Sequence, residues 1–316
     1  MTSFLNFKPI YQERVWGGRQ LESFLHRKLP GSAPIGESWE LVDRPEAQSV
    51  VASGAWAGLS LHDLMSRQPQ EIMGPGWPKE RPFPILVKWL DCRDRLSVQV
   101  HPPASIAAKL GGEPKTENWY FAQVESGAAV YAGLRAGVTR ESLEAAIAAG
   151  TVDQCLERPA VRKGDSLLIH SGVMHAIDAG NVILEIQQNS DTTYRVYDWG
   201  RVGLDGKPRA LHVRESLECL SANDAPLPRM VRAETSSDVL AQCREFTIRQ
   251  VRLSAGERLE FSPRQQPRIL SVVEGNWDAG SALKQGDNVL IPYAAHFTLV
   301  APVAMTLLIT ENFNRA

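Results

Sequence analysis

Lys163-Gly164-Asp165-Ser166-Leu167-Leu168-Ile169 is answered further along the chain by Gln285-Gly286-Asp287-Asn288-Val289-Leu290-Ile291. Each copy is a Gly-Asp turn feeding a short apolar run, the composition of a buried strand. A histidine follows each within several residues, His175 in the first copy and His296 in the second. Upstream, Ala122-Gln123-Val124-Glu125-Ser126-Gly127 resembles Ser271-Val272-Val273-Glu274-Gly275. Repetition of one β unit predicts a duplicated, strand-built fold with the smaller copy at the carboxy terminus. Segments 84–90, 118–124, 166–170, 182–188 and 192–198 read as further strands broken by Gly, Pro and Asp. Helices look few. Residues 140–149 qualify, behind a Thr139 N-cap and ahead of Gly150, with shorter candidates at 104–110 and 213–220. The expected class is mainly β, a sandwich or jelly roll. The turn-rich stretch 221–229, extended to about residue 235, is expected to join two domains, 1–235 and 236–316.

Composition narrows the function. The 316 residues carry a formal charge of −2 and no basic run, so neither nucleic acid nor an anionic membrane is an expected partner. Cys92, Cys155, Cys219 and Cys243 are scattered without a Cys-x-x-Cys pair, which fits reduced thiols rather than a disulfide framework or a thiolate metal site. Residues 1–14 mix polar and apolar side chains unlike a secretory signal, and the apolar stretch 297–309 is too short to span a bilayer. The expectation is a soluble, cytoplasmic protein. No feature specifies an oligomeric state.

Four side chains able to bind one divalent ion sit on three strand-like segments. In Leu96-Ser97-Val98-Gln99-Val100-His101-Pro102, apolar and polar residues alternate, so Gln99 and His101 share a face. Glu117 and His175 follow on later segments. Two imidazoles, a carboxylate and an amide oxygen suit a borderline ion such as zinc, and a set without thiolate is typical of open, catalytic sites. The second copy of the repeat has no counterpart of Gln99-Val100-His101 or Glu117 and should be metal-free. His26, His62, His170, His212 and His296 are read as ordinary packed or surface residues. Arg195 reads either as an exposed strand arginine or as a fixed cation for phosphate or a developing oxyanion. Lys115, two residues before Glu117, is either a solvated loop lysine or a second cation in the same cavity. Glu185 is an acid within an apolar run, either surface-facing or buried beside a cation.

These tracts resemble those of type I mannose-6-phosphate isomerases, a family of cupin-fold metalloenzymes. The resemblance rests on Leu-Ser-Val-Gln-Val-His-Pro at 96–102, Lys-Thr-Glu-Asn-Trp-Tyr at 115–120 and Ser-Gly-Val-Met-His-Ala-Ile at 171–177. The longest tract is Glu-Ile-Gln-Gln-Asn-Ser-Asp-Thr-Thr-Tyr-Arg-Val-Tyr-Asp-Trp-Gly-Arg at 185–201, supported by Trp16-Gly17-Gly18, Gly36-Glu37-Ser38-Trp39-Glu40 and Gly206-Lys207-Pro208. The chain is similar to the short bacterial form. The resemblance implies a catalytic amino-terminal cupin, a smaller degenerate carboxy-terminal one, and one zinc per chain held by Gln99, His101, Glu117 and His175, with Gln99 the weakest ligand. It implies Arg195, Glu185 and Lys115 as catalytic residues, and Lys115, Arg195 and Ser97 as substrate contacts. One departure is His170, where the family often has proline.

The implied reaction interconverts mannose 6-phosphate and fructose 6-phosphate by moving a proton between C1 and C2 through an enediolate. Zinc would supply Lewis acidity and Arg195 further charge stabilisation. Glu185, Lys115 and a water on the metal are all candidate bases, with Glu185 ranked first. Two other readings stand beside it: a cupin metalloenzyme acting on another sugar phosphate or using iron to activate oxygen, and a non-catalytic sugar-phosphate sensor.

Overall fold

A computed structural model describes residues 4–221, 226–235, 237–275 and 283–314. Three antiparallel sheets dominate. The largest has seven strands in the order Arg229–Val231, Ser166–Ile169, Glu117–Val124, Asn181–Gln188, Ile85–Cys92, Ile35–Leu41, Ile10–Gly18. A four-stranded sheet, Tyr194–Tyr197, Val98–Val100, His175–Ile177 and Val130–Ala132, faces it. The third takes five strands from Val239–Gln242 onward and a sixth from the other end of the chain, Leu5–Asn6 paired with Asn288–Ile291. This is the mainly β, cupin-like architecture expected.

Strand alternation explains how the large sheet serves two neighbours at once. Ile85, Val87, Trp89, Leu184, Ile186, Tyr120 and Ala122 turn to one side, into a core shared with Phe246, Ile248, Leu290 and Leu308 of the third sheet. Leu90, Ile183, Trp119 and Phe121 turn to the other side and pack toward the four-stranded sheet. With a period of two, Lys88, Glu185 and Glu117 fall on that second side. Both faces are covered, so these central strands read as continuous apolar runs interrupted by single charges.

The repeat is visible in hydrogen bonding. Gly164 N–H donates to Phe121 O (2.8 Å) while Phe121 N–H donates to Asp165 O (3.0 Å). Gly286 and Val272 repeat the pattern at 2.8 Å, with Val272 N–H to Asp287 O at 2.9 Å. Both glycines have φ near +90° (87° and 92°), the left-handed region that a side chain disfavours. The Asp165 and Asp287 carboxylates each close the turn on a backbone N–H three residues earlier, at 2.9 Å. Phe121 is therefore equivalent to Val272, two residues out of step with the alignment of 122–127 on 271–275 read from the sequence.

Helix Arg140–Ala149 has the expected Thr139 cap and Gly150 stop, and Val213–Ser221 is present. Residues 104–110 give only a short 3-10 turn at Ala108–Leu110. Three short helices, Gln20–Leu25, Leu61–Arg67 and Pro69–Met73, were not anticipated. The expected connection at 221–235 lies partly outside the described residues, and its Arg229–Val231 part pairs with Ser166–Ile169 as the edge strand of the large sheet instead of running free. Among the described residues no helix is long and apolar enough to cross a membrane.

Candidate metal centre and active-site cavity

Strand register assembles the site. Gln99 lies directly opposite His175 on one side and Arg195 on the other, so three neighbouring strands present these side chains in one row. Glu117 arrives from the facing seven-stranded sheet, and His101 from the end of the Gln99 strand, where Pro102 and Pro103 follow it. His101, Glu117 and His175 are fully buried, and one ligand atom from each lies within 4.8 Å of the others.

The donor chemistry fits a cation. His101 Nδ1 is 2.7 Å from Thr192 O and His175 Nδ1 is 2.9 Å from Val173 O. A carbonyl can only accept, so each Nδ1 carries the proton and each Nε2 presents a lone pair. Those lone pairs sit 3.4 and 3.3 Å from the two Glu117 oxygens. Among the described residues no hydrogen bond of good geometry reaches either Glu117 oxygen, although Lys115 Nζ is 2.5 Å from Oε2. The same ammonium is 3.3 Å from His101 Nε2, so a positive charge already rests against this electron-rich cluster.

Electrostatics agree. Burial alone would raise the Glu117 carboxyl, but the Lys115 ammonium, the strongest opposing influence, holds it well below the usual carboxylate range. Burial, then the Lys115 charge, pushes His101 down to about 3, and burial lowers His175. Both imidazoles therefore stay neutral, as metal ligands must.

Gln99 stands at the edge of the cluster. Its amide nitrogen is placed 3.4 Å from His175 Nε2, and its oxygen accepts from Ser97 Oγ at 3.3 Å. Rotating the amide by half a turn would exchange the two and direct the oxygen at the ligand atoms. Ser97 Oγ also accepts from Arg195 Nε at 3.3 Å. Arg195 donates its other hydrogen bond to Ala210 O (3.0 Å), and among the described residues no carboxylate lies within ion-pair distance of it. Burial, then the nearby Arg209, pulls its pKa down.

A cavity of about 630 Å³ runs from this row across the inner face of the large sheet. Lys115, Glu185, Ser97, Gln99 and Arg195 line it. Glu185 is 4% exposed, accepts from Trp119 Nε1 at 3.1 Å, and is raised to about 7 by burial against the partial relief of Lys115. Its buried position removes the surface-facing alternative. Lys88, Glu37, Asp191 and Arg14 also line the cavity and were not singled out from the sequence, and so does His212, which the sequence reading took for an ordinary packed or surface residue. For Lys88 the signal was present: a lone cation in Ile-Leu-Val-Lys-Trp-Leu is the same anomaly as Glu185 in its own strand.

Comparison with known proteins gives a consistent result. Residues 4–129 match the family model described as phosphomannose isomerase type I, catalytic domain. The chain is 36% identical to mannose-6-phosphate isomerase ManA of Bacillus subtilis, across 92% of this chain and 94% of that protein. It is also 36% identical to mannose-6-phosphate isomerase of Streptococcus mutans, across 92% and 93%. Its fold superposes on the crystal structure of the mannose 6-phosphate isomerase from Bacillus subtilis with a TM-score of 0.81 and 28% identity, covering 98% of this chain and 100% of that one. A mannose 6-phosphate isomerase solved with zinc and yttrium shares the fold at a TM-score of 0.71 and 16% identity, covering 98% and 100%. Because these likenesses run almost end to end and are not confined to the ligand tracts, the chain belongs to the type I phosphomannose isomerase family.

Proposed function

We propose that this protein interconverts mannose 6-phosphate and fructose 6-phosphate in the cytoplasm, using one zinc ion per chain held by His101, Glu117 and His175, with Gln99 as a fourth, weaker ligand. The observation that carries the reading is the pair of unprotonated Nε2 atoms converging on the two oxygens of a fully buried carboxylate, with the Lys115 ammonium as its one charged neighbour among the described residues. Bound there, zinc would supply Lewis acidity at the substrate oxygens, worth several kcal/mol. Everything else falls to the chain. Arg195, a cation with no carboxylate within ion-pair distance among the described residues, takes the phosphate dianion, helped by Ser97. Lys115 neutralises charge beside Glu117 and Glu185. Glu185 accepts the proton from one carbon and returns it to the neighbouring one, and its near-neutral pKa suits both halves of that task.

A coupled assay converting mannose 6-phosphate should show turnover that a chelator abolishes and zinc restores. Absence of turnover in the zinc-loaded protein would defeat the proposal.

The Glu185 assignment has its own pH signature. A carboxyl raised to about 7 is protonated, and useless as a base, below that pH. A divalent ion nearby adds positive charge and moves the value down, so kcat/KM should fall through an acid limb lying between the ordinary 4.5 and about 7. Glu185→Gln should cost roughly 10²–10⁴-fold and erase that limb. An unchanged limb in the variant would assign the base elsewhere.

A further inference from the structure

Lys88 occupies an unusual place in the cavity. It is 3% exposed, and its ammonium lies 3.5 Å from Asp191, 3.6 Å from Glu37 and 3.9 Å from Glu185. It also sits 4.6 Å above the Trp39 ring. Among the described residues it donates no hydrogen bond of good geometry, so Coulomb attraction and the ring hold it, and it lines the cavity with donors unspent. Three surrounding carboxylates would repel a phosphate dianion, so this ammonium suits a neutral sugar oxygen and not the anionic end of the substrate.

Glu37 is the best anchored of the three. Arg14 donates to it through Nε (2.9 Å) and Nη2 (3.3 Å), and Trp39 Nε1 donates at 2.5 Å. These bonds fix the carboxylate on the side facing Lys88, and against the upward push of burial the Lys88 charge first, then Arg14 and the Trp39 bond, lower its pKa to about 2. Asp191, by contrast, has a side chain 43% exposed, and Glu185 is committed to Trp119. Charges therefore alternate from the metal ligands outward: Lys115, Glu185, Lys88, Glu37, Arg14.

We propose that Lys88 binds a hydroxyl or carbonyl oxygen of the sugar as a further catalytic residue, and that Glu37, pinned by Arg14, is the positioning residue that holds it there. This rests on the isomerase reading above. The interaction belongs to the reacting sugar, so its loss should appear in kcat more than in KM.

The test is a double-mutant cycle on the zinc-loaded enzyme, with metal content and melting temperature measured in parallel. Lys88→Met should lower kcat about 100-fold, the range for losing one transition-state donor, with KM within about threefold. Inhibition by inorganic phosphate should persist. Glu37→Gln should lower kcat about tenfold in the Lys88 enzyme and have no added effect in the Lys88→Met enzyme. Arg14, partly exposed, gives a variant that does not threaten the core: Arg14→Met frees Glu37 to close on Lys88 and should cost several-fold, again only when Lys88 is present. Multiplicative losses in either double variant would overturn the positioning role. A wild-type kcat in Lys88→Met, or loss of phosphate inhibition in it, would overturn the role of Lys88. Failure of the parent enzyme to turn over would instead remove the isomerase reading, so the two failures are separable.

Discussion

Glu117→Gln is expected to purify with less than stoichiometric metal and to lose about 10³-fold or more in kcat, a loss that added zinc does not restore. The substitution keeps the shape of the side chain and removes only its charge. Glu117 is fully buried, and its two oxygens face the Nε2 lone pairs of His101 and His175. An amide can offer one oxygen but turns an N–H₂ group toward the cluster, where it repels a cation and competes for a lone pair. Forfeiting several kcal/mol of Lewis-acid stabilisation corresponds to about three decades in rate.

The same variant carries a stability signature. Lys115 is buried, and its ammonium is kept charged against burial first by Glu117 and then by Glu185. Removing the nearer partner leaves that charge poorly compensated, at a cost of about 3 kcal/mol. For a chain of this size that amounts to a melting temperature lower by about 4–5 °C. His175→Ala should also lose metal and turnover but removes no charge partner of Lys115, so its metal-free form should melt closer to the metal-free parent. Full metal content and rate in Glu117→Gln would sink the coordination proposed here.

Much of this site could be read from alternation alone. Gln99 and His101 are two apart on one strand, and Glu185 breaks an otherwise apolar run, so period-two geometry places them without knowledge of the fold. What pattern could not supply was register across strands. That Gln99 lies opposite both His175 and Arg195 depends on pairing between segments distant in sequence. Glu37 escaped for a related reason: it matters only through Lys88, itself marked in the sequence as a lone cation in an apolar run, and the two meet only once the sheet is formed. His212 escaped because an isolated histidine carries no local mark, yet its Nδ1 accepts the Arg195 backbone N–H at 3.2 Å. Helix Leu61–Arg67 was a different kind of omission. Its capping box, Ser60 with Asp63, stands in the sequence as Ser-Leu-His-Asp, but the helix is only seven residues long, too short for a periodic apolar stripe to show.

Arg195→Ala is expected to leave metal content unchanged while lowering kcat/KM by about 10²–10⁴-fold. Three observations separate this residue from the metal cluster. Its guanidinium is tied to Ser97 Oγ and Ala210 O rather than to any ligand atom. No carboxylate lies within ion-pair distance of it among the described residues, and the neighbouring Asp198 is engaged by Arg201 and Arg209. Burial also already depresses its pKa, the sign of a desolvated cation that gains from an incoming anion. A dianionic phosphate would supply the missing partner through a bidentate contact worth several kcal/mol. Arg195→Lys keeps the charge but not the fork, so it should recover only part of the loss. The discriminating measurement is inhibition by inorganic phosphate, which should weaken in parallel with substrate binding in Arg195→Ala and persist in Lys88→Met. If Arg195→Ala instead sheds its metal, or keeps its phosphate inhibition while kcat collapses, the arginine acts at the reacting carbons and the phosphate must dock elsewhere in the cavity.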